Sequence, residues 1–449
     1  LKIRPNMWSR SLGGMRLRAK SLRLAVGRAV RRSVRMRTPA RGFAARPAEE
    51  SIQNEASKGF HGQMAYWLYG CCGMVFGMVA LGGVTRLTGS GLSMVEWKPT
   101  GILPPTSESG WLEEFEKYQE FPEYQKHNDE LSLTDFKWIW FMEWGHRMAG
   151  RATGIVFALP LAYFAARRAI PPRLYARFAT LLFLGGSQGL IGWWMVRSGL
   201  DGGQKYGGEG RVSPYRLATH LSMAFILYAT LFNTAIGLHT VHKASRLTPA
   251  MRAEAEAVLA KIPKNFKKAS VAVASLIGLT AFSGAFVAGN HAGMVYDEFP
   301  KMGGQWIPDD IVNPYLTPAW RNIFEHDTMV QWNHRVLAMS TLGSVLGLYI
   351  ASRRLPVILP LPARIASNAL LGMSGIQVTL GISTLLMHVP VPLASAHQMG
   401  SLTLLTIAMW FAHTLRPLPV TVAASVISAT AAAAATSAAA ASASGGAAA

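Results

Sequence analysis

Four histidines stand inside long apolar runs: His146 and His334 in the matching strings EWGHR and QWNHR, His220 in RLATHLSM and His397 in SAHQMG. A lone imidazole in a membrane helix is ordinarily a packed, hydrogen-bonded residue. Four that recur as two pairs ask for more. Two neutral imidazoles facing inward from neighbouring helices of a bundle hold a haem iron axially, with the porphyrin edge packed among apolar side chains. The two pairs therefore predict two haems, one on His146 and His220, the other on His334 and His397. Glu143 offers a carboxyl for proton transfer three residues before His146. Glu-x-x-His is also a di-iron element, but that site needs a second copy and further helical carboxylates, and the second string carries Gln331 instead. Arg147 and Arg335 follow two of the histidines, and Arg86 lies in GGVTRLTGSG. Each suits either pairing with the carboxylates of a bound ligand or snorkelling to the membrane surface. Trp144 and Trp332 read as residues of the interfacial aromatic belt.

Positioning these side chains requires helices. Apolar runs cover roughly residues 64–84, 138–164, 174–196, 216–240, 268–290, 330–350, 363–386 and 394–415. Each reaches about the 20 residues needed to cross a bilayer. Backbone in lipid must satisfy its own hydrogen bonds, so the runs predict an all-α polytopic membrane protein with eight transmembrane helices. Each of the four histidines falls within about two or three turns of the start of an even-numbered helix, which sets all four at one depth near one surface.

The chain repeats itself. GGVTRLTGSGLSM from Gly82 matches SGAFVAGNHAGMV from Ser283, QGLIGWW from Gln188 matches QVTLGIS from Gln377, and the histidine strings match in the same order. Two tandem four-helix bundles follow: a first half over residues 60–242, a linker over 243–267 and a second half over 268–416. Connections 165–173, 241–267 and 351–362 are rich in Arg and Lys, whereas 85–137, 197–215 and 291–329 are less basic, and the first carries an acidic cluster that includes Glu113, Glu114, Glu116, Glu120, Glu123 and Asp135. By the positive-inside bias the basic side, with both termini, faces the matrix or a bacterial cytoplasm.

The formal charge of +20 is concentrated rather than spread: residues 1–48 hold 14 Lys or Arg and no acid. That pattern argues against nucleic acid as a partner. It fits a mitochondrial transit peptide, with a basic cytoplasmic tail as the alternative. Cys71 and Cys72 are the only cysteines, adjacent within the first apolar run, so disulfides and thiolate metal sites have little part. Residues 420–449 are a low-complexity Ala/Ser tail.

Taken together, GGVTRLTGSGLSMVEWKPTGILPP, EWGHRMAGR, RLATHLSM, QWNHRVLA and SAHQMGSL, in this order over residues 60–416, closely resemble the heme A synthase family. With the basic leader, the chain is similar to the mitochondrial type. The resemblance implies an inner-membrane oxidoreductase that converts haem O to haem A, by oxidising a ring methyl to a formyl group, for cytochrome c oxidase. It further implies that His334 and His397 hold a permanent haem b, that His146 and His220 face the haem O substrate, and that Glu143 serves the oxidation. Ferredoxin and its reductase as electron donors, self-association and contact with a haem O synthase are the partners it suggests. Bacterial relatives often carry an outer-loop cysteine pair, which this chain lacks. A non-catalytic di-haem electron carrier is the alternative that the histidines alone leave open. A transporter fits less well, because the polar residues cluster near one surface instead of at broken helices at midplane.

Overall fold

A computed structural model describes residues 59–201 and 210–419. The basic leader and the Ala/Ser tail lie outside the described residues. Eight long helices carry the fold: α1 His61–Leu87, α2 Leu133–Ala166, α3 Tyr175–Leu200, α4 Pro214–Ala244, α5 Lys264–Gly289, α6 Asp327–Arg353, α7 Leu361–Leu386 and α8 Val391–Thr414. Seven are long and apolar enough to cross a membrane. The eighth, α8, spans 24 residues and carries His397 and Gln398 in its second turn. Pro at the first or second position starts α4, α7 and α8, where a missing N–H costs nothing.

In each half the first helix packs on the second and the fourth, and the third packs on the fourth. The halves are joined through α1, α4, α5 and α8, and one apolar core runs through both. On α1 the stripe Met64, Leu68, Cys71, Val75 and Val79 is buried at helical spacing. Outward faces of α2, α3 and α7 present Leu159, Phe183, Leu190 and Ile376, as suits acyl chains. Hydrogen bonds cross the seam as well: Gln398 Nε2 donates to Val79 O at 2.8 Å, and Thr406 Oγ1 to the Tyr228 hydroxyl at 2.9 Å.

Two features exceed what hydropathy shows. Helix α2 has 34 residues, about 51 Å of helix against roughly 30 Å of hydrocarbon. Ser132 caps it, and its first turns leave the membrane to pack on an outer cluster of Met94, Trp111, Tyr118, Phe136, Ile139 and Trp140. His146 is consequently about four turns into its helix rather than two or three. The linker contains the helix Pro249–Lys261, whose Leu259 is buried in the main core and whose Leu259 carbonyl accepts from Lys267 Nζ at 2.8 Å.

Candidate functional site

The second-half pair is brought together directly. His334 on α6 and His397 on α8 have ring centres 6.3 Å apart and planes at 90°. Both line a cavity of about 430 Å³, within the usual size of a cofactor pocket. Ser283 Oγ on α5 lies 2.8 Å from His334 Nδ1, and Gln377 Nε2 on α7 lies 3.1 Å from His397 Nδ1. With each Nδ1 engaged, Nε2 is the nitrogen left for a metal. A metal bonded to both rings at about 2.0 Å, with each ring centre about 1.1 Å beyond its nitrogen, needs centres roughly 6 Å apart. The donor set therefore fits an axially held haem iron.

Glycines make room for the rings. A Cβ on Gly381 would lie 2.8 Å from His397 Cε1, and one on Gly284 would lie 3.0 Å from His334 Cε1. The first half repeats the device: Gly82 against His146 Nε2 at 2.9 Å and Gly192 against His220 Cε1 at 3.1 Å. In the sequence Gly82, Ser283 and Gln377 stand out only as the starts of matched strings, with no role at the histidines; the signal lay in repeat-related positions such as Gly192 and Gly381 inside QGLIG and QVTLG.

The duplicated string of α2 and α6 has a shared structural purpose. Glu143 Oε2 accepts from Met94 N at 2.8 Å and Ser93 Oγ at 2.9 Å, while Gln331 Nε2 donates to Tyr296 O at 2.9 Å. Trp144 Nε1 donates to Ile102 O at 2.7 Å, and Trp332 Nε1 to Trp306 O at 3.2 Å. Arg147 donates to Glu96 O at 2.9 Å and Met94 O at 2.8 Å. Arg335 donates to Lys301 O at 3.0 Å and Tyr296 O at 3.3 Å. Three residues of each string thus pin the outer loop that precedes their own helix. Arg147 is also ion-paired with Glu143, so every polar group facing that buried carboxylate is a donor.

Arg86 does not stay with its own half. Its guanidinium lines the second-half cavity together with Arg335, donates to Ala288 O at 3.1 Å and meets His291 Nε2 at 3.0 Å. Burial, then the charge of Arg86, pushes His291 down to about 4, so its ring is a neutral acceptor at physiological pH. Among the described residues no group of three or more His, Cys, Asp and Glu gathers as a di-iron centre would need, whereas an axial haem takes two protein ligands.

In the outer layer a second acid is buried. Glu123 accepts from the Tyr118 hydroxyl at 3.2 Å, and Asn128 donates to that hydroxyl at 2.7 Å. Burial, then repulsion from Glu143, raises the Glu123 carboxyl to about 8 against the partial relief of Tyr118 and Arg86. Below about pH 4.5 folded and unfolded chains both hold the proton; between there and about 8 only the unfolded chain releases it, so stability falls as pH rises through this window. Glu123→Gln keeps the Tyr118 contact and removes the slope. Its melting temperature relative to wild type should climb between about pH 5 and pH 8, by at most about 1.4 kcal/mol per pH unit in stability; a constant difference across that range disproves it.

Fold and site together define a class: a polytopic membrane protein built from a duplicated helical unit, each copy contributing a pair of intramembrane histidines, each faced by a glycine. The chain belongs to the COX15-CtaA family, described as cytochrome oxidase assembly protein, whose model matches residues 65–409. It is 48% identical over 350 residues to "Heme A synthase COX15" of Arabidopsis thaliana, covering 78% of this chain and 74% of the relative. It is 46% identical over 355 residues to the Bos taurus protein of that name, covering 79% and 82%. A "Heme A synthase-mitochondrial ferredoxin fusion protein" of Schizosaccharomyces pombe is 39% identical over 386 residues, covering 83% of this chain and 63% of the fusion.

Proposed function

We propose that the chain is a heme A synthase, a membrane oxidoreductase that converts a methyl group of haem O to the formyl group of haem A for cytochrome oxidase. The observation that carries this reading is the 6.3 Å pair of His334 and His397 lining a cavity in one half, with a second histidine pair and a buried acid in the other. A haem b held by His334 and His397 would supply one-electron transfer. His146 and His220 take the substrate haem O. Two successive hydroxylations of its methyl, each drawing one oxygen atom from dioxygen while the donor's electrons and two protons carry the other away as water, would give a geminal diol, which loses water to the aldehyde. Glu143, ringed by donors, would deliver or accept a proton at oxygen during that oxidation and the loss of water from the diol.

Arg86 and Arg335 line the second cavity and suit the carboxylates of its cofactor. Arg147 instead holds Glu143 and the loop carbonyls. The ferredoxin fused to the S. pombe relative supports ferredoxin as electron donor. An inner mitochondrial membrane location with termini in the matrix, self-association and contact with a haem O synthase complete the proposal.

Expression of the chain with a haem O synthase in a host that makes no haem A tests it. Haem extraction should yield haem A and the hydroxymethyl intermediate. A host pool that stays entirely haem O and haem b refutes catalysis and leaves an electron carrier.

A further inference from the structure

The two halves hold their histidines differently. In the second half the Ser283 hydroxyl donates to Thr280 O at 2.7 Å, which uses its one hydrogen. Its oxygen, 2.8 Å from His334 Nδ1, is therefore an acceptor and fixes the proton on that nitrogen. The imidazole is held in one tautomer and one orientation, with Nε2 unprotonated. At His397 the Gln377 Nε2 stands 3.1 Å from Nδ1 and donates to the His397 carbonyl at 2.9 Å, so one side chain braces both the ring and the backbone that carries it.

In the first half these bonds are missing. The repeat sets Leu81 and Gly82 where Ser283 stands, and neither has a hydroxyl. Among the described residues the His146 imidazole makes no side-chain hydrogen bond, and a Cβ on Gly82 would press on its Nε2. Gln188 is the counterpart of Gln377, yet Gln188 Nε2 and His220 Nδ1 are both buried without partners. Resting on the reading of the four histidines as axial ligands, we propose that Ser283 and Gln377 are positioning residues that lock the second-half imidazoles on a permanent haem. Their lack of working counterparts leaves His146 and His220 able to take up and release a porphyrin substrate. One repeated scaffold thereby becomes a retaining site and an exchanging site.

A metal-bound histidine that shares its other N–H with an acceptor is a better donor to the metal, and losing such a partner costs about 10–100-fold in metal affinity. The test uses the full-length protein purified with its haem b, comparing Ser283→Ala, Ser283→Thr and Gln188→Leu. The readouts are haem transfer to excess apomyoglobin and the haem midpoint potential. Ser283→Ala should lose haem b about 10-fold faster, with a potential shifted upward because the iron receives less charge from the ring. Ser283→Thr, which keeps the hydroxyl, should restore both values, and Gln188→Leu should change neither. Wild-type transfer rate and potential in Ser283→Ala overturn the inference, as does a potential shift in Gln188→Leu equal to that in Ser283→Ala. His334→Ala separates the two levels of argument. If it still binds haem b normally, the ligand assignment is at fault; if it lacks haem b while Ser283→Ala is silent, only the positioning role is wrong.

Discussion

Glu143→Gln stops formation of haem A, by at least about 100-fold, while haem b remains at its wild-type level. The carboxylate is 3% exposed and takes three donors, from Ser93, Met94 and Arg147. An amide oxygen keeps the Ser93 and Met94 bonds but cannot take up or return a proton, and its NH2 group would face the guanidinium. Breaking a buried ion pair costs about 3–5 kcal/mol when the surviving charge is stranded. Arg147 keeps the carbonyls of Met94 and Glu96, so the destabilisation should fall at or below the low end of that range. Ser93→Ala separates chemistry from loop anchoring: it removes one of the loop's bonds to Glu143 and leaves the carboxylate. The expected pattern, read by chromatography of extracted haems, is haem O accumulating in Glu143→Gln and haem A persisting in Ser93→Ala. Equal losses in both variants would reduce Glu143 to an anchor, and normal haem A in Glu143→Gln would remove it from the reaction.

The histidines were readable because a polar residue in an apolar run is conspicuous and the repeat made each one appear twice. The span count was readable for the same reason, since hydropathy measures what lipid requires. Its failures are instructive. The outer turns of α2 are invisible to hydropathy because they bury Phe136, Ile139 and Trp140 against protein outside the membrane, not against lipid. The reach of Arg86 was hidden because a repeat assigns each residue to its own half, whereas α1 and α5 lie at the seam and the Arg86 side chain crosses it. The strings EWGHR and QWNHR invited a chemical reading of every letter. The structure spends Glu143 and Gln331, Trp144 and Trp332, and Arg147 and Arg335 on the same task of tethering an outer loop, and it leaves only the histidine facing a neighbouring glycine in both copies. The difference that matters for chemistry is then the one acid, Glu143, where the other copy has an amide.

Gly381→Ala should cost the protein most of its haem b, at least about 10-fold in occupancy. The added methyl would sit 2.8 Å from His397 Cε1, closer than carbon atoms tolerate, and the ring cannot retreat freely because Gln377 stands 3.1 Å from its Nδ1. The helix itself gains from the change, since alanine is preferred over glycine in a helix by about 0.5–1 kcal/mol. Loss of pigment would therefore not reflect loss of helix. Gly375→Ala on the same helix is the matched control, because nothing lies within 4 Å of its Cβ position. It should bind haem b normally and melt no lower than wild type. Gly284→Ala, with its Cβ 3.0 Å from His334 Cε1, should reproduce the loss from the other side of the porphyrin. Gly82→Ala and Gly192→Ala press on His146 and His220 instead, so they should spare haem b and lower haem A output. Absorbance of the reduced purified protein reads the first outcome, and extracted haems read the second. If Gly381→Ala and Gly375→Ala bind equal haem b, the glycine slots are incidental to helix packing and the steric account of how four imidazoles are seated fails.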